Sequence, residues 1–211
     1  MAAKKHKAPP GCDYDPIAGD DPNISYGTAR SGSGKTKRTL ADVIVKRLFP
    51  VDRPADTVAP WPTPTCQQHG ILLPRGAPDH LSDYPTLARD YHANSGDAID
   101  HLATIITLRF PNADAVPPTG PSRLHDIWEL CRGFGGKIRD DLQVAVLPVF
   151  HVPGKNWGLG FPHVHLICPV RVIRPATGFS TFAMQLIEAD QGRPYIDAEW
   201  KAWREGAGYG E

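Results

Sequence analysis

The sequence lacks paired cysteines, long apolar runs and a net charge. Its four cysteines lie far apart without a C-x-x-C pair, at Cys12, Cys66, Cys131 and Cys168. Neither a disulfide framework nor a cysteine-based zinc site is therefore indicated. No apolar run approaches the roughly 20 residues that cross a bilayer, and the charged start MAAKKHKAPP has no apolar segment behind it. We expect a cytoplasmic protein with reduced thiols and no membrane segment.

Glycine and proline, in contrast, are frequent: the 211 residues include 20 Gly and 22 Pro. Long uninterrupted helices are therefore expected to be scarce. The apolar share of 41% and the charged share of 22% suit a globular protein and exclude a coiled coil or a fully disordered chain. The 23 Lys and Arg balance the 23 Asp and Glu, but residues 1–50 have a basic excess. Such an end could contact phosphates, although a solvated tail is the plainer interpretation.

The N-terminal part of the sequence is predicted to be largely irregular. Residues 1–38 mix Lys, Asp, Gly and Ser with almost no apolar periodicity, which is typical of an arm without regular structure. Thr39–Phe49 then places Leu40, Val43, Ile44 and Arg47 at helical spacing and predicts a short amphipathic helix. From Pro50 to Pro78 the frequent prolines favour an extended surface segment. We expect residues 1–95 to form this basic arm, helix and Pro-rich segment, and residues 96–211 to form the compact domain.

The compact domain is predicted to alternate strands and helices. His101–Phe110 is rich in β-branched residues and reads as a strand, and Ser122–Arg139 has one apolar stripe and predicts a helix that breaks near the glycines at 133–136. Asp141–Val152 and Pro162–Ile173 are predicted to pair as an antiparallel hairpin around a Gly-rich turn. Two shorter helical patterns follow, FSTFAMQLIEA and DAEWKAWRE.

Three histidines meet at the end of this predicted hairpin. His163 and His165 project from one face of the second strand, because side chains alternate along a strand. Antiparallel pairing brings the strand ends together, so His151 at the end of the first strand can join them. Three neutral imidazoles are a common ligand set for a divalent transition metal and leave positions for water or a substrate oxygen. The plainer alternative is a set of partly exposed histidines without a metal.

The segment LQVAVLPVFHVPGKNWGLGFPHVHLICPVRVI resembles the metal-binding motif of HUH endonucleases, in which two histidines flank one hydrophobic residue. It is most similar to the MobA/MobL relaxases of plasmid mobilisation, which place a third histidine at the end of the preceding strand. The resemblance covers roughly residues 100–205. It implies an α+β fold in which an antiparallel sheet carries helices on one face, similar to an RRM-like fold.

The resemblance also implies an activity. A divalent metal, Mg or Mn, would grip the scissile phosphate of single-stranded DNA, and a tyrosine would attack it to leave a 5′-phosphotyrosine link. Plasmid accessory proteins are then possible partners. Tyr26 in ISYGTARSG is similar to the A-A-Y-R-x-G stretch of the family, although no convincing strand precedes it. Tyr195 in RPYIDAEWK is the alternative nucleophile, since replication initiators of the superfamily place theirs after the motif. The basic residues near Tyr26 are the expected DNA contacts: Arg30, Lys35, Lys37 and Arg38.

Two further motifs carry weaker indications. ARSGSGKT fits a permissive Walker A pattern, but it lacks a preceding strand and a Walker B partner, so we interpret it as a Gly/Ser-rich basic linker. Cys66 and His69 could begin a zinc clip with His80, yet no second pair has suitable spacing. Surface-loop residues are the plainer interpretation.

Two other classes of function stay open at this point. The chain could be a module that binds single-stranded nucleic acid through its sheet and basic arm without cutting it. It could also be a phosphodiester hydrolase that uses the three-histidine metal with a bound water as the nucleophile.

Overall fold

The computed structural model shows an α+β protein, as the resemblance implies. It describes residues 14–17, 21–32, 37–55, 57, 60–94, 100–111, 123–153, 160–187 and 189–208. Strands lie at β1 Asp15–Ile17, β2 Ile24–Arg30, β3 Gln68–His69, β4 His101–Arg109, β5 Leu147–His151, β6 His163–Pro169, β7 Arg171–Arg174 and β8 Gly178–Phe182. Helices lie at α1 Leu40–Leu48, α2 Tyr84–Ala93, α3 Leu124–Leu142, α4 Met184–Ile187 and α5 Ala189–Gly206, with a 3-10 helix at Asp79–Ser82.

Six strands form one antiparallel sheet in the order β1-β2-β4-β6-β5-β3, and β7 pairs with β8 in a separate hairpin. The predicted strand over residues 101–110 is confirmed as β4, whose residues 102–108 are all buried. Aliphatic and β-branched side chains on both faces suit such a central position. The predicted pairing of the two histidine-bearing strands is confirmed as well, with His151 directly opposite His163.

Helices cover both faces of the sheet, and each face has its own apolar core. On one side, called the α1 face here, α1 and α2 pack on residues that include Ile105 and Ile167. On the other side, the α3 face, α3 and α5 pack on residues that include Ile106 and Leu166. The predicted antiparallel sheet with helices packed on it is confirmed, but the helices lie on both faces instead of one. The second layer comes from α1 and α2, which belong to residues 1–95, the part of the chain predicted to precede the compact domain.

Helix α1 forms as its sequence predicts. Thr39 caps it in a capping box, because the Thr39 side chain accepts from the Asp42 backbone N–H while the Asp42 carboxylate accepts from the Thr39 backbone N–H. The buried stripe includes Leu40 and Ile44. The backbone oxygen of Arg47, in the last turn, contacts His151, so the C-terminal end of α1 lies over the end of β5.

The expectation of an irregular arm over residues 1–38 is wrong for residues 24–30, which form β2. This strand pairs with β4 along its length, from Ile24 opposite Leu108 to Arg30 opposite His101. The segment ISYGTAR contains few bulky apolar residues and thus shows little periodicity. Its burial comes from neighbours that lie some 80 positions later in the sequence. Strand β2 thereby joins the sheet next to β4. Strand β3 joins the same sheet by pairing with β5.

The predicted break in the third helix at glycines 133–136 is also wrong, because α3 continues through them to Leu142. The glycines allow close packing. A Cβ at Gly133 would lie against the Trp203 ring, and one at Gly135 would lie 3.2 Å from Val146. The helix ends where Gln143 takes a left-handed conformation with φ 54°. The following strand consequently begins at Leu147 instead of Asp141.

The C-terminal part differs from the sequence prediction in two places. The predicted strand over 162–173 divides into β6 and β7, and β7 pairs with β8. The pattern FSTFAMQLIEA, predicted to be helical, supplies β8 and the short helix α4. DAEWKAWRE is confirmed as part of α5. Among the described residues, none of the helices has the length and apolar character needed to cross a bilayer.

A substitution at Gly192 tests how closely α5 packs against the sheet. A Cβ there would collide with the Tyr26 hydroxyl and with the backbone oxygen of Gln185, and a backbone atom cannot move aside cheaply. We expect Gly192→Ala to lower the free energy of unfolding by about 1–3 kcal/mol, measured by urea denaturation.

Gly206, in the same helix, is the matched control for this substitution. A Cβ at Gly206 has no neighbour within 4 Å, so Gly206→Ala should be neutral or stabilise by up to about 1 kcal/mol. Equal destabilisation by both substitutions would contradict the packing described for α5.

Candidate metal centre

His151, His163 and His165 form one compact cluster at the end of β5 and the start of β6. Their ring centroids lie 4.9–5.1 Å apart, and one nitrogen from each ring lies within 4.8 Å of the others. The rings project from the α1 face, because residues 147, 149 and 151 share that face of β5 and residues 163, 165 and 167 share it in β6. The sequence-based prediction that these rings converge is confirmed.

Each ring is held by a hydrogen bond through one of its nitrogens. His151 donates from Nε2 to the Arg47 backbone oxygen at 2.7 Å, and His163 donates from Nδ1 to the Phe161 backbone oxygen at 2.9 Å. The Thr107 hydroxyl lies 2.8 Å from Nδ1 of His165 and can accept its proton. Such outer contacts fix the orientation and tautomer of metal-binding histidines. They leave Nδ1 of His151 and Nε2 of His163 and His165 to serve as ligand atoms.

The spacing of these nitrogens fits a shared ion. Nδ1 of His151 lies 3.3 Å from Nε2 of His163. Two imidazole nitrogens bound to one ion at about 2.0–2.1 Å with a tetrahedral angle between them stand about 3.3 Å apart. Two lone pairs that face each other at this distance repel unless a cation lies between them. The cluster could therefore bind a metal ion.

Burial and neighbouring charge keep all three imidazoles neutral. Burial lowers the pKa of His151 from its usual 6.5 to about 4. Burial also lowers the pKa of His163, and the charge of Arg109 adds to the effect. The pKa of His165 is held well below its usual value by burial, then by its two histidine neighbours, then by Arg47 and Arg109. Neutral imidazole is the form that binds a metal.

Two arginines lie beside the cluster on the same face of the sheet. Arg109, the last residue of β4, is directly opposite His163, and its Nη2 donates to Ser25 Oγ at 3.0 Å. Arg47 lies in the last turn of α1, and its Cζ is 5.9 Å from the centroid of the Tyr14 ring. The site therefore combines a ligand set for a cation with positive charge at its edge, which favours an anionic substrate.

Neither tyrosine predicted from the sequence lies at this site. Tyr26 is fully buried on the α3 face, where its hydroxyl donates to the Leu186 backbone oxygen at 3.0 Å. Tyr195 belongs to α5 on the same face, and its hydroxyl donates to the Asp141 carboxylate at 3.1 Å. Burial raises the pKa of both phenols. The sheet separates them from the histidines, so their predicted role as nucleophile disagrees with the geometry.

The predicted DNA-binding residues lie away from the cluster. Arg30 pairs with His101 at one end of β4, whereas Arg109 pairs with His163 at the other end. The nine residues of β4 separate these ends by about 27 Å. Lys37 and Arg38 precede the N-terminal end of α1, while its C-terminal end reaches the histidines. Lys35 lies outside the described residues.

The other sequence motifs contribute no second site in the described part of the chain. Here the histidine trio is the one group of three or more potential ligands. His69 instead contacts the Tyr84 hydroxyl at 3.1 Å, and His80 pairs with the Asp90 carboxylate at 3.0 Å. Lys35 and Thr36 of the Walker-like segment lie outside the described residues.

Sequence reasoning missed the groups that surround the histidines, namely Thr107, Arg109, and the backbone oxygens of Arg47 and Phe161. Alternation along the predicted strand does put Thr107 and Arg109 on one face. Their place beside the histidines, however, depends on the register between β4 and β6. The carbonyl contact of Arg47 depends on how α1 docks, which a local pattern does not show.

Comparisons with known proteins add little to what the site itself indicates about function. No family model matches the chain, and no curated protein matches it. A solved structure described as the molecular basis of vancomycin resistance transfer in Staphylococcus aureus is 20% identical and has a TM-score of 0.49. The match covers 68% of this chain and 72% of that chain. A likeness of this size shows neither a family nor a function.

The lowered pKa values predict how the metal-free protein responds to acid. Each of the three imidazoles has a lower pKa folded than unfolded, so the unfolded chain binds more protons below pH 6.5 and is favoured there. We expect the free energy of unfolding to fall as the pH drops from about 6.5 toward 4. The lowered pKa of His151 alone would account for roughly 3 kcal/mol of this fall in the free energy of unfolding.

Urea denaturation in the presence of a chelator, at several pH values, measures this dependence. His151→Gln removes a titrating ring, so its stability should depend less on pH over the same window. An identical pH dependence for His151→Gln and the unaltered protein would contradict the buried, neutral state assigned to His151.

The cluster also predicts metal affinity. We expect calorimetry to detect one Mn²⁺ per chain and His163→Ala to weaken binding by at least about 100-fold, because a two-imidazole set lacks the third donor. His80→Ala removes an exposed histidine and should leave the affinity unchanged. Equal affinities for the three proteins would place the metal elsewhere.

Proposed function

We propose that the chain is a metal-dependent, relaxase-like endonuclease that makes a tyrosine-linked nick in single-stranded DNA, with a role in plasmid mobilisation or replication. The observation that supports this most directly is the cluster of three neutral imidazoles, each held by its own hydrogen bond, beside two arginines. The resemblance of the histidine-bearing strands to the HUH motif agrees with that geometry.

The donor set favours manganese or a similar transition metal over magnesium, because imidazole nitrogen is a poor ligand for the latter. When bound, such an ion would polarise a phosphodiester and stabilise the charge that develops on it during cleavage. His151, His163 and His165 would hold the ion through the nitrogens that face one another. Their hydrogen bonds to Arg47, Phe161 and Thr107 keep the three rings in position before substrate arrives.

Arg109 is suited to position the phosphate. Its guanidinium carries a permanent charge in a planar group that matches phosphate oxygens. It lies at the end of β4 directly opposite His163, where a phosphate held at the histidines would come within its reach. Its hydrogen bond to Ser25 fixes its direction along the α1 face.

Phe161 supplies an apolar surface for a nucleobase. It is 55% exposed, although large aromatic side chains are usually buried. Its backbone oxygen accepts a hydrogen bond from His163. Phe161 therefore lies next to this candidate metal ligand, two positions before it in the sequence. Stacking on exposed aromatic rings is a general way to bind single strands without sequence preference. We infer that a base next to the scissile phosphate stacks there.

The basic residues at the other end of the sheet would contact DNA that flanks the cleavage site. Arg30 and Lys37 are exposed, and Lys35 and Arg38 lie near them in the sequence. A single strand of DNA that reaches from this end of the sheet to the histidines would include several nucleotides. These contacts would strengthen binding in a salt-dependent way. Plasmid accessory proteins could act as further partners during mobilisation.

A metal-dependent phosphodiester hydrolase is the second candidate, because the position of Tyr26 and Tyr195 on the α3 face favours it. In that case water would replace the tyrosine as nucleophile, and no covalent link between protein and DNA would form. The two candidates share the histidine site and differ in the product.

A nicking assay tests the proposed function. The substrate is a pool of end-labelled single-stranded oligonucleotides with a randomised central region, incubated with the full chain and Mn²⁺. We expect cleavage that a chelator abolishes and that His163→Ala slows by at least about 100-fold, while His80→Ala cleaves at the unaltered rate. Salt-sensitive binding without cleavage, unchanged by a chelator, would instead show a non-catalytic binding module.

A further inference from the structure

We infer that Tyr14 is the nucleophile of this site, an assignment that rests on the proposed function and names the residue that carries out its covalent step. Among the tyrosines that the structure describes, Tyr14 is linked to the histidine cluster by two separate sets of contacts. It was not a candidate from the sequence, because it lies in a segment that shows no periodicity.

The first link runs across the sheet through Ser25. The Tyr14 hydroxyl lies 3.3 Å from Ser25 Oγ, and the same oxygen accepts from Arg109 at 3.0 Å. Arg109 is directly opposite His163. The Tyr14 hydroxyl is therefore one side chain away from the guanidinium that lies beside the candidate metal ligands.

The register of the strands places Ser25, the contact partner of this hydroxyl, relative to the histidines. Ser25 on β2 lies opposite Thr107 on β4, and Thr107 lies opposite His165 on β6. Two strand spacings separate Ser25 from His165 by about 10 Å. All three side chains project from the α1 face. A phosphate group fits within a separation of this size, so Tyr14, which contacts Ser25, and the imidazoles can reach the same phosphate.

The second link runs through α1. The Arg47 guanidinium lies over the Tyr14 ring at 5.9 Å from its centroid, an arrangement that attracts a cation to the ring face. The backbone oxygen of the same residue accepts from His151 at 2.7 Å. Arg47 thus positions both the ring of Tyr14 and the ring of a metal ligand, and it ties the two to one helix.

The other described tyrosines do not meet these conditions. Tyr26 and Tyr195 lie on the α3 face. Tyr91 donates to the backbone oxygen of His101, at the opposite end of β4 from Arg109. Tyr84 contacts His69 on β3, at the opposite edge of the sheet from Tyr14. Tyr14 is thus the described tyrosine tied to both arginines beside the histidines, through Ser25 to Arg109 and through its ring to Arg47.

The covalent step balances without a further reagent. The Tyr14 oxygen forms a bond with the phosphorus of the scissile phosphodiester, and the bond between that phosphorus and the 3′ oxygen breaks. The phenol loses its proton and the departing 3′ oxygen gains one, so a 5′-phosphotyrosine link and a free 3′-hydroxyl result. No electron transfer takes place.

Mapping the covalent adduct tests this assignment. The full chain is incubated with Mn²⁺ and the randomised single-stranded oligonucleotide pool, the DNA is trimmed with nuclease, and the modified peptide is sequenced by mass spectrometry. We expect the adduct on Tyr14, and Tyr14→Phe should lose both adduct and cleavage by at least about 100-fold. Tyr195→Phe, which alters a tyrosine on the opposite face, should form the adduct at the unaltered rate.

The outcomes separate this assignment from the proposed function. An adduct on another tyrosine, or full activity of Tyr14→Phe, overturns the role of Tyr14 and leaves the nicking activity in place. Cleavage without an adduct overturns Tyr14 in favour of water. Absence of cleavage by the unaltered chain overturns the proposed function and the assignment together.

A second measurement tests the position of Tyr14 without DNA or turnover. Paramagnetic Mn²⁺ broadens nuclear resonances steeply with proximity, so substoichiometric Mn²⁺ should broaden the ring signal of Tyr14 in protein carrying ¹³C-labelled tyrosine. The signals of Tyr26 and Tyr195 should broaden only at higher Mn²⁺. Signals are assigned with Tyr→Phe variants, and His163→Ala should abolish the broadening. Loss of the Tyr26 or Tyr195 signal before that of Tyr14 would overturn the assignment.

Discussion

The register between β5 and β6 is the constraint on which the site depends. It places His151 directly opposite His163 and keeps His165 on the same face. A slip by one residue would turn His163 and His165 toward the α3 face and their apolar neighbours toward the α1 face. Such a slip is costly, because Val164 and Leu166 are fully buried against α3. The apolar alternation that builds the core therefore also fixes the geometry of the ligands.

Helix α1 completes the site and links it to the fold. Its apolar stripe covers the α1 face, and its last turn brings the Arg47 carbonyl to His151 and the Arg47 guanidinium to Tyr14. Burial under this helix lowers the pKa of His151 and thereby keeps the imidazole ready for a cation. The same packing stabilises the domain and prepares the site, so a change that loosens α1 should affect both.

The features that follow from local patterns could be predicted from the sequence. Alternation around His163 and His165 indicated a shared face, and the cap at Thr39 with its apolar stripe indicated α1. Features that depend on partners far along the chain could not be predicted from the sequence. Strand β2 is stabilised by β4 far along the chain, and the glycines of α3 serve close packing with Trp203 and Val146 instead of ending the helix. Tyr26 matched a motif locally, yet strand alternation directs it to the α3 face, away from the histidines.

Pulsed electron paramagnetic resonance of the Mn²⁺-loaded protein tests the central claim most directly, because it detects ¹⁴N nuclei bonded to the ion. The account predicts couplings from three imidazole nitrogens, reduced to two in His165→Ala. A spectrum that shows water ligands alone, or nitrogen couplings that are unchanged in His165→Ala, would contradict a metal centre built from His151, His163 and His165.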